Sequence, residues 1–283
     1  MKTCFANVLR HEAAKCFTNR WYVLALGICV AFGVVSALES WGYVRGVLVP
    51  FGDLTSNMSC FANGMIANCN ASLAATIFFY TAPAIVCIPY AWSYHTERLS
   101  GYDAQVALRV PAGMRMAAKA MATFLSGCSL MAAALVVNAV LLACLLPAWV
   151  PIIEEWDILG IFYDSLFTGL FYTHPLAYLV AYGCMDACIC GVWACFVASL
   201  SWATRNRSAL LVLPYLLLLG WQYVTKQLVG IFDIIGFSVN IIDDMQGTFY
   251  VARSDFLSIA VQLAVLAGAA WLGWRTLAKR EVL

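Results

Sequence analysis

Residues 121–146 read MATFLSGCSLMAAALVVNAVLLACLL, without a charge anywhere in the run. A helix rises about 1.5 Å per residue, so roughly 20 residues cross the roughly 30 Å hydrocarbon core of a bilayer, and this run is long enough. It is apolar on every side, as contact with lipid or with a surrounding bundle requires. Five further runs qualify or nearly do, at Trp21–Leu38, Ala71–Tyr94, Pro175–Trp202, Ser208–Val224 and Phe256–Trp274. The whole chain agrees with that reading. Of its 283 residues, 63% are hydrophobic and 11% charged, with a mean hydropathy of +0.83. Soluble domains hold about 45–50% apolar and about 25% charged residues. A soluble enzyme, a nucleic-acid binder and a disordered chain are excluded as descriptions of the whole. The expected fold is an all-α polytopic membrane domain over residues 1–283, with six spans.

Basic residues set the orientation. Lys2, Arg10, Lys15 and Arg20 precede the first span; Arg98, Arg109, Arg115 and Lys119 follow the second. Arg205 and Arg207 follow the fourth, and Arg275, Lys279 and Arg280 follow the sixth. That leaves only Arg45, Lys226 and Arg253 for the other three connections, which carry most of the acids. Cytoplasmic loops are the ones enriched in Lys and Arg, so both termini are expected in the cytoplasm and the protein in the cell membrane. The first apolar run ends without a small-x-small cleavage site and reads as a retained span.

Residues 1–20 mix Phe5, Val8, Leu9, Cys16 and Phe17 with basic and His positions, the pattern of a helix lying in the inner interface. Glu12 falls near the apolar face of that helix and runs against the pattern. Residues 222–255 are apolar but interrupted by Gly230 and Gly236. Broken backbone at membrane depth must be buried in protein, so a re-entrant helical segment is expected there. Cys60 and Cys69 lie in the first outer connection, where they either oxidise to a disulfide or stay as two thiols.

No GxxxxGK[ST] loop, GxSxG elbow or HExxH pair occurs. His11, His95 and His174 fall in three parts of the chain, so no shared histidine metal site is expected. The fourth span carries Cys184, Asp186, Cys188 and Cys190. Thiolates suit soft ions such as Cu(I), but small residues in a tightly packed membrane helix account for these cysteines more simply, and no metal is assigned. Asp186 is the one acid inside an apolar run and must face the bundle or a partner. It reads either as a packing residue, for example against Asn138, or, with Asn138, as part of a translocation path.

Residues 94–119, YHTERLSGYDAQVALRVPAGMRMAAK, are longer than a helix–helix turn needs. The segment is amphipathic and basic, and broken at Gly101 and at Pro111–Gly113. It resembles the cytoplasmic coupling region of export-type ATP-binding-cassette permeases, particularly Gram-positive members, in which Glu-x-x-x-Gly is followed by a helical stretch, a basic residue and a Lys at the next span. Here these are Glu97, Gly101, Arg109 and Lys119, and the sequence departs from the commoner form at Tyr102, where Thr or Ser is frequent. The basic N-tail, six spans, His174-Pro175-Leu176 before the fourth span and Arg205-Asn206-Arg207 before the fifth match the same arrangement.

The resemblance implies the membrane half of a transporter, with no cofactor of its own. ATP and Mg would be held by a separate cytoplasmic ATPase docked on Glu97, Arg98, Gly101, Tyr102, Arg109, Arg115 and Lys119. A second permease, identical or related, would complete the path through the lipid bilayer. The cargo would be a hydrophobic or amphipathic drug, peptide, lipid or glycan; no nucleic acid is expected. The competing reading is an intramembrane enzyme, or an immunity or sensor protein, using Asp186 and the neighbouring cysteines.

Overall fold

The computed structural model describes residues 5–43, 65, 72–146, 166–204, 206–232, 239–246 and 256–280. Every regular element among them is helical. In chain order these are α1 (Phe5–Phe17), α2 (Arg20–Tyr43), α3 (Leu73–Ile85), α4 (Ser93–Leu99), α5 (Tyr102–Ala107) and α6 (Ala112–Leu145). Then come α7 (Thr168–Thr173), α8 (Pro175–Ser199), α9 (Arg207–Phe232), α10 (Ile241–Asp244) and α11 (Phe256–Arg280). Five are long and apolar enough to cross a membrane: α2, α6, α8, α9 and α11.

The second expected span, Ala71–Tyr94, is not one continuous helix. α3 is 13 residues long, about 20 Å, and the chain then passes through turns before α4 begins at Ser93. Pro89 lacks an N–H, and its ring would strike the carbonyl four residues back, so regular helix cannot run through it. The backbone tightens instead: Cys87 N–H donates to Ala84 (3.2 Å) and Ile88 N–H to Ile85 (3.1 Å). The Pro83 carbonyl left over accepts the Trp193 indole N–H from α8 at 2.9 Å, so the break is satisfied by a neighbouring helix. At the other end of α3, Ser72 caps the Ala75 N–H, and Glu39 of α2 accepts from the Ala74 N–H and from the Ser72 hydroxyl. A carboxylate there also complements the helix dipole.

α6 is the central helix, flanked by α1, α2, α8 and α11. Its contacts are built from small residues. Ala25, Cys29, Gly33 and Ala37 form a four-residue-spaced stripe buried on α2. A Cβ on Gly33 would lie 2.8 Å from the Ala134 carbonyl oxygen of α6. Where α6 meets α8, a Cβ on Gly127 would lie 2.9 Å from the Cys190 carbonyl oxygen. Lipid gives helices no hydrophobic reason to associate, so close backbone approach and its dispersion contacts hold them together. Large apolar side chains such as Phe78, Phe79, Leu130 and Phe171 fill the interior, but many others point outward: Val136, Val140, Leu176, Val180, Leu217 and Val265 are all exposed. So much exposed apolar surface suits a bilayer and would be untenable in water.

Candidate functional site

At one end of the bundle the 94–119 connection folds into α4, a sharp turn, α5 and the start of α6. Gly101 makes the turn with φ +71°, a left-handed conformation that costs an ordinary L-residue about 1–2 kcal/mol. The inner side of this unit is locked down by charge. Lys119, at the head of the apolar part of α6, is 0% exposed. It pairs with Glu97 of α4 and, at 3.5 Å, with Glu12 of α1. Lys15 bridges the same two acids, 3.1 Å from Glu12 and 3.3 Å from Glu97. The Tyr90 hydroxyl donates to Glu12. Lys15 also lies over the Tyr102 ring at 4.3 Å, and the Tyr102 hydroxyl is 3.3 Å from His11 Nε2.

Two lysines and two glutamates thus tie α1, α4 and α6 together. Burial alone would raise the Glu12 carboxyl, yet Lys119, the Tyr90 hydroxyl and Lys15 together hold it below its ordinary value. Burial would likewise lower Lys15, but Glu12 and Glu97 hold it above its ordinary value. The acid that disturbed the amphipathic pattern of α1 is therefore the residue that pins α1 to the bundle.

The residues expected to form a docking surface divide into two sets. Glu97, Tyr102, Arg115 and Lys119 are buried or half-buried, three of them in or beside the ion-pair network, whereas Arg98, Gly101 and Arg109 are exposed. With that exposed set stand two apolar side chains, Leu99 at 77% and Leu108 at 89% exposure. Arg207, at the head of α9, lies over the Trp92 ring at 5.9 Å, which brings the connection before α9 to this same end. Arg275 and Ala278 near the end of α11 share an apolar groove of about 640 Å³ with Phe5 and Gly113.

A second polar cluster lies deeper in the bundle. Asn240 caps α10 by accepting from the Ile242 N–H, and residues Ile241–Met245 are buried. Asp243 accepts from Gln222 of α9 at 2.7 Å and lies 3.7 Å from Lys226, which donates to the Tyr80 hydroxyl. Asp244 accepts from Gln262 of α11 at 2.8 Å through its carboxylate, and from the Tyr182 hydroxyl of α8 at 2.7 Å through its carbonyl. Asp186 is fully buried nearby, and among the described residues neither of its oxygens has a hydrogen-bond partner. Asn138 is elsewhere engaged, donating to the Gly33 carbonyl at 3.2 Å as a tie between α6 and α2. Cys184 and Cys188 are on the exposed side of α8, opposite Asp186, and only Cys190 shares its buried side. Among the described residues no three His, Cys, Asp or Glu side chains converge as a metal-ligand set. Cys60 and Cys69 lie outside the described residues.

Composition and charge distribution did not single out Glu12, Lys15, Tyr90, Asp243 or Asp244 as members of these clusters. The signal for the first cluster was present, since an acid on an apolar helix face and a lysine at the head of an apolar run each need a buried counter-charge. The chain matches no protein-family model and no characterised protein.

Proposed function

We propose that the chain is the membrane-spanning permease subunit of an export-type ATP-binding-cassette transporter, with six spans, both ends cytoplasmic and residues 222–255 re-entering the bundle. The observation that carries this reading is the two-sided α4–α5 unit. Its inner side is bolted to α1 and α6 by Glu97, Lys15 and Lys119, and its outer side offers Leu99 and Leu108 between Arg98 and Arg109. An apolar centre with a charged rim is the anatomy of a small protein interface. A rigid anchor is what a lever needs: displacement of the unit by a docked ATPase passes directly to α1 and the central helix α6 as a rigid-body shift. ATP and Mg belong to that cytoplasmic ATPase, and a second permease chain faces this one across the path of a hydrophobic or amphipathic cargo.

The test is capture of the ATPase by permease held at matched membrane levels. Leu99→Asp and Leu108→Asp, with Arg98→Glu and Arg109→Glu, are expected to abolish capture while insertion and thermal stability stay at wild-type levels. Full capture by all four variants removes the docking surface and, with it, the main physical support for a transporter.

A further inference from the structure

Among the described residues Asp186 is a buried acid with neither carboxyl oxygen compensated. It sits in the middle of a helix long and apolar enough to cross a membrane, at 0% exposure, and among the described residues neither carboxyl oxygen meets a hydrogen-bond donor. An ionised carboxylate in such a place would cost several kcal/mol and would need a partner cation. Among the described residues no cation pairs with it; Tyr182 and Cys190, one turn to either side of it on α8, contact Asp244 and Met245, which brings the Asp244 carboxyl, of its own sign, into its neighbourhood. The groups around it are accounted for element by element. On α8, Tyr178 and Tyr182 stack at 5.3 Å and Cys190 touches Met245. On α10, Asp243 faces Gln222 and Lys226 of α9, while Asp244 takes the Gln262 amide of α11. Tyr80 of α3 holds Lys226, and Asn138 of α6 is bonded to α2. Lys226 is thus engaged with Asp243 and Tyr80.

We propose that Asp186 is a proton-binding site, and that its proton is what allows the Asn240–Met245 turn to sit inside the bundle. With Asp186 neutral, Asp244 keeps its Gln262 bond and the turn rests on Tyr182 and Cys190. Release of the proton to water leaves two like charges, on Asp186 and Asp244, in one low-dielectric interior, and their repulsion drives the turn out. Seating and proton retention are then linked, so unseating by release of one proton is favoured by up to about tenfold per pH unit. This inference is independent of the permease reading, because it concerns only α8 and α10.

Two measurements on the full chain in lipid nanodiscs decide it. Infrared spectra at neutral pH should contain the carbonyl stretch of a protonated carboxylic acid that shifts in D2O. The band should vanish in Asp186→Asn and persist in Asp244→Asn. Absence of the band in the wild type, or its loss in Asp244→Asn alone, overturns the assignment of the proton to Asp186. For the turn, Met245→Cys is alkylated across pH 6–10 and residue 245 quantified by peptide mass analysis. The ratio of its rate to that in the Asp186→Asn background cancels the thiol's own ionisation. That ratio should rise with pH, and a flat ratio overturns the coupling. Should Asp186→Asn fail to insert, Asp244→Asn supplies the reference background, since it removes the same repulsion. Protection that follows sodium concentration at fixed pH replaces the proton by a metal cation and also overturns the proposal.

Discussion

Lys119 shows how a single side chain can organise one end of a membrane bundle. Its ammonium is fully buried and compensates Glu97 and Glu12 at once. Removing one partner of a buried pair leaves the others uncompensated, at about 3–5 kcal/mol. Lys119→Met is therefore expected to lower stability in detergent by an amount of that order, measured by denaturant titration. The triple variant with Glu12→Gln and Glu97→Gln should recover most of it. The same network has a defined acid limit. The Glu12 carboxyl is held below its ordinary 4.5, so its contribution is complete above pH 4.5 and is lost as pH falls through the lower, folded value. The Lys15 ammonium, held above its ordinary 10.5, contributes fully below pH 10.5 and loses that contribution as pH rises through its folded value. Protease protection of α1, followed from pH 7 to 3 and from 7 to 12, should fall at both extremes; protection unchanged at both would mean the charges do not hold the helix.

Among the elements, the contact between α6 and α8 leaves no room for added volume at Gly127. A Cβ at Gly127 meets backbone, 2.9 Å from the Cys190 carbonyl oxygen and 3.1 Å from Gly191 Cα, so the helices must separate to admit it. At Gly27 of α2 nothing lies within 4 Å of the same added atom. Gly127→Ala should consequently destabilise by about 1–3 kcal/mol through overpacking. Gly27→Ala should be neutral or stabilise by up to about 1 kcal/mol through helix propensity. Parallel unfolding curves in one detergent compare them, and equal effects would show that close packing does not govern this bundle. α3 follows a different rule, because its helix stops where proline removes the donor and its surplus carbonyl is satisfied by Trp193. Trp193→Phe leaves that carbonyl without the indole donor and should cost about 1–3 kcal/mol, read in the same assay.

For the whole molecule, the bundle is asymmetric in charge. The ion-pair network, the exposed Arg98 and Arg109, and Arg207 on Trp92 gather at one end. The topology proposed above makes that end cytoplasmic. Single cysteines on a background lacking the native ones should react with an impermeant reagent from outside near Asp53 and Glu155, and not at Arg205. Outside labelling at Arg205 would reverse the orientation. The proposed docking of an ATPase belongs to this scale too, because Lys119 is the ion-pair link that joins α6 to the α4–α5 unit and α1. Lys119→Met should therefore reduce transport-linked ATPase stimulation even where the ATPase is still captured through Leu99 and Leu108. Full stimulation in that variant would show that the anchor does not transmit motion.

The amino-acid sequence by itself determined that this is a helical membrane protein, because length and hydropathy of a run such as 121–146 leave a bilayer no other structure to accept. It also located the break at Gly101, since composition there calls for a turn. Only the tertiary structure decided which polar groups meet. Glu12 and Lys119 stand more than a hundred positions apart, Tyr182 and Asp244 more than fifty, and no local periodicity encodes such pairings. Tertiary structure also divided the 94–119 segment into an inner set, Glu97 and Lys119, and an outer set, Arg98, Leu99, Leu108 and Arg109. The physical reason is that a buried charge is tolerated only beside its counter-charge, and the packing of α1, α4 and α6 alone brings those charges together.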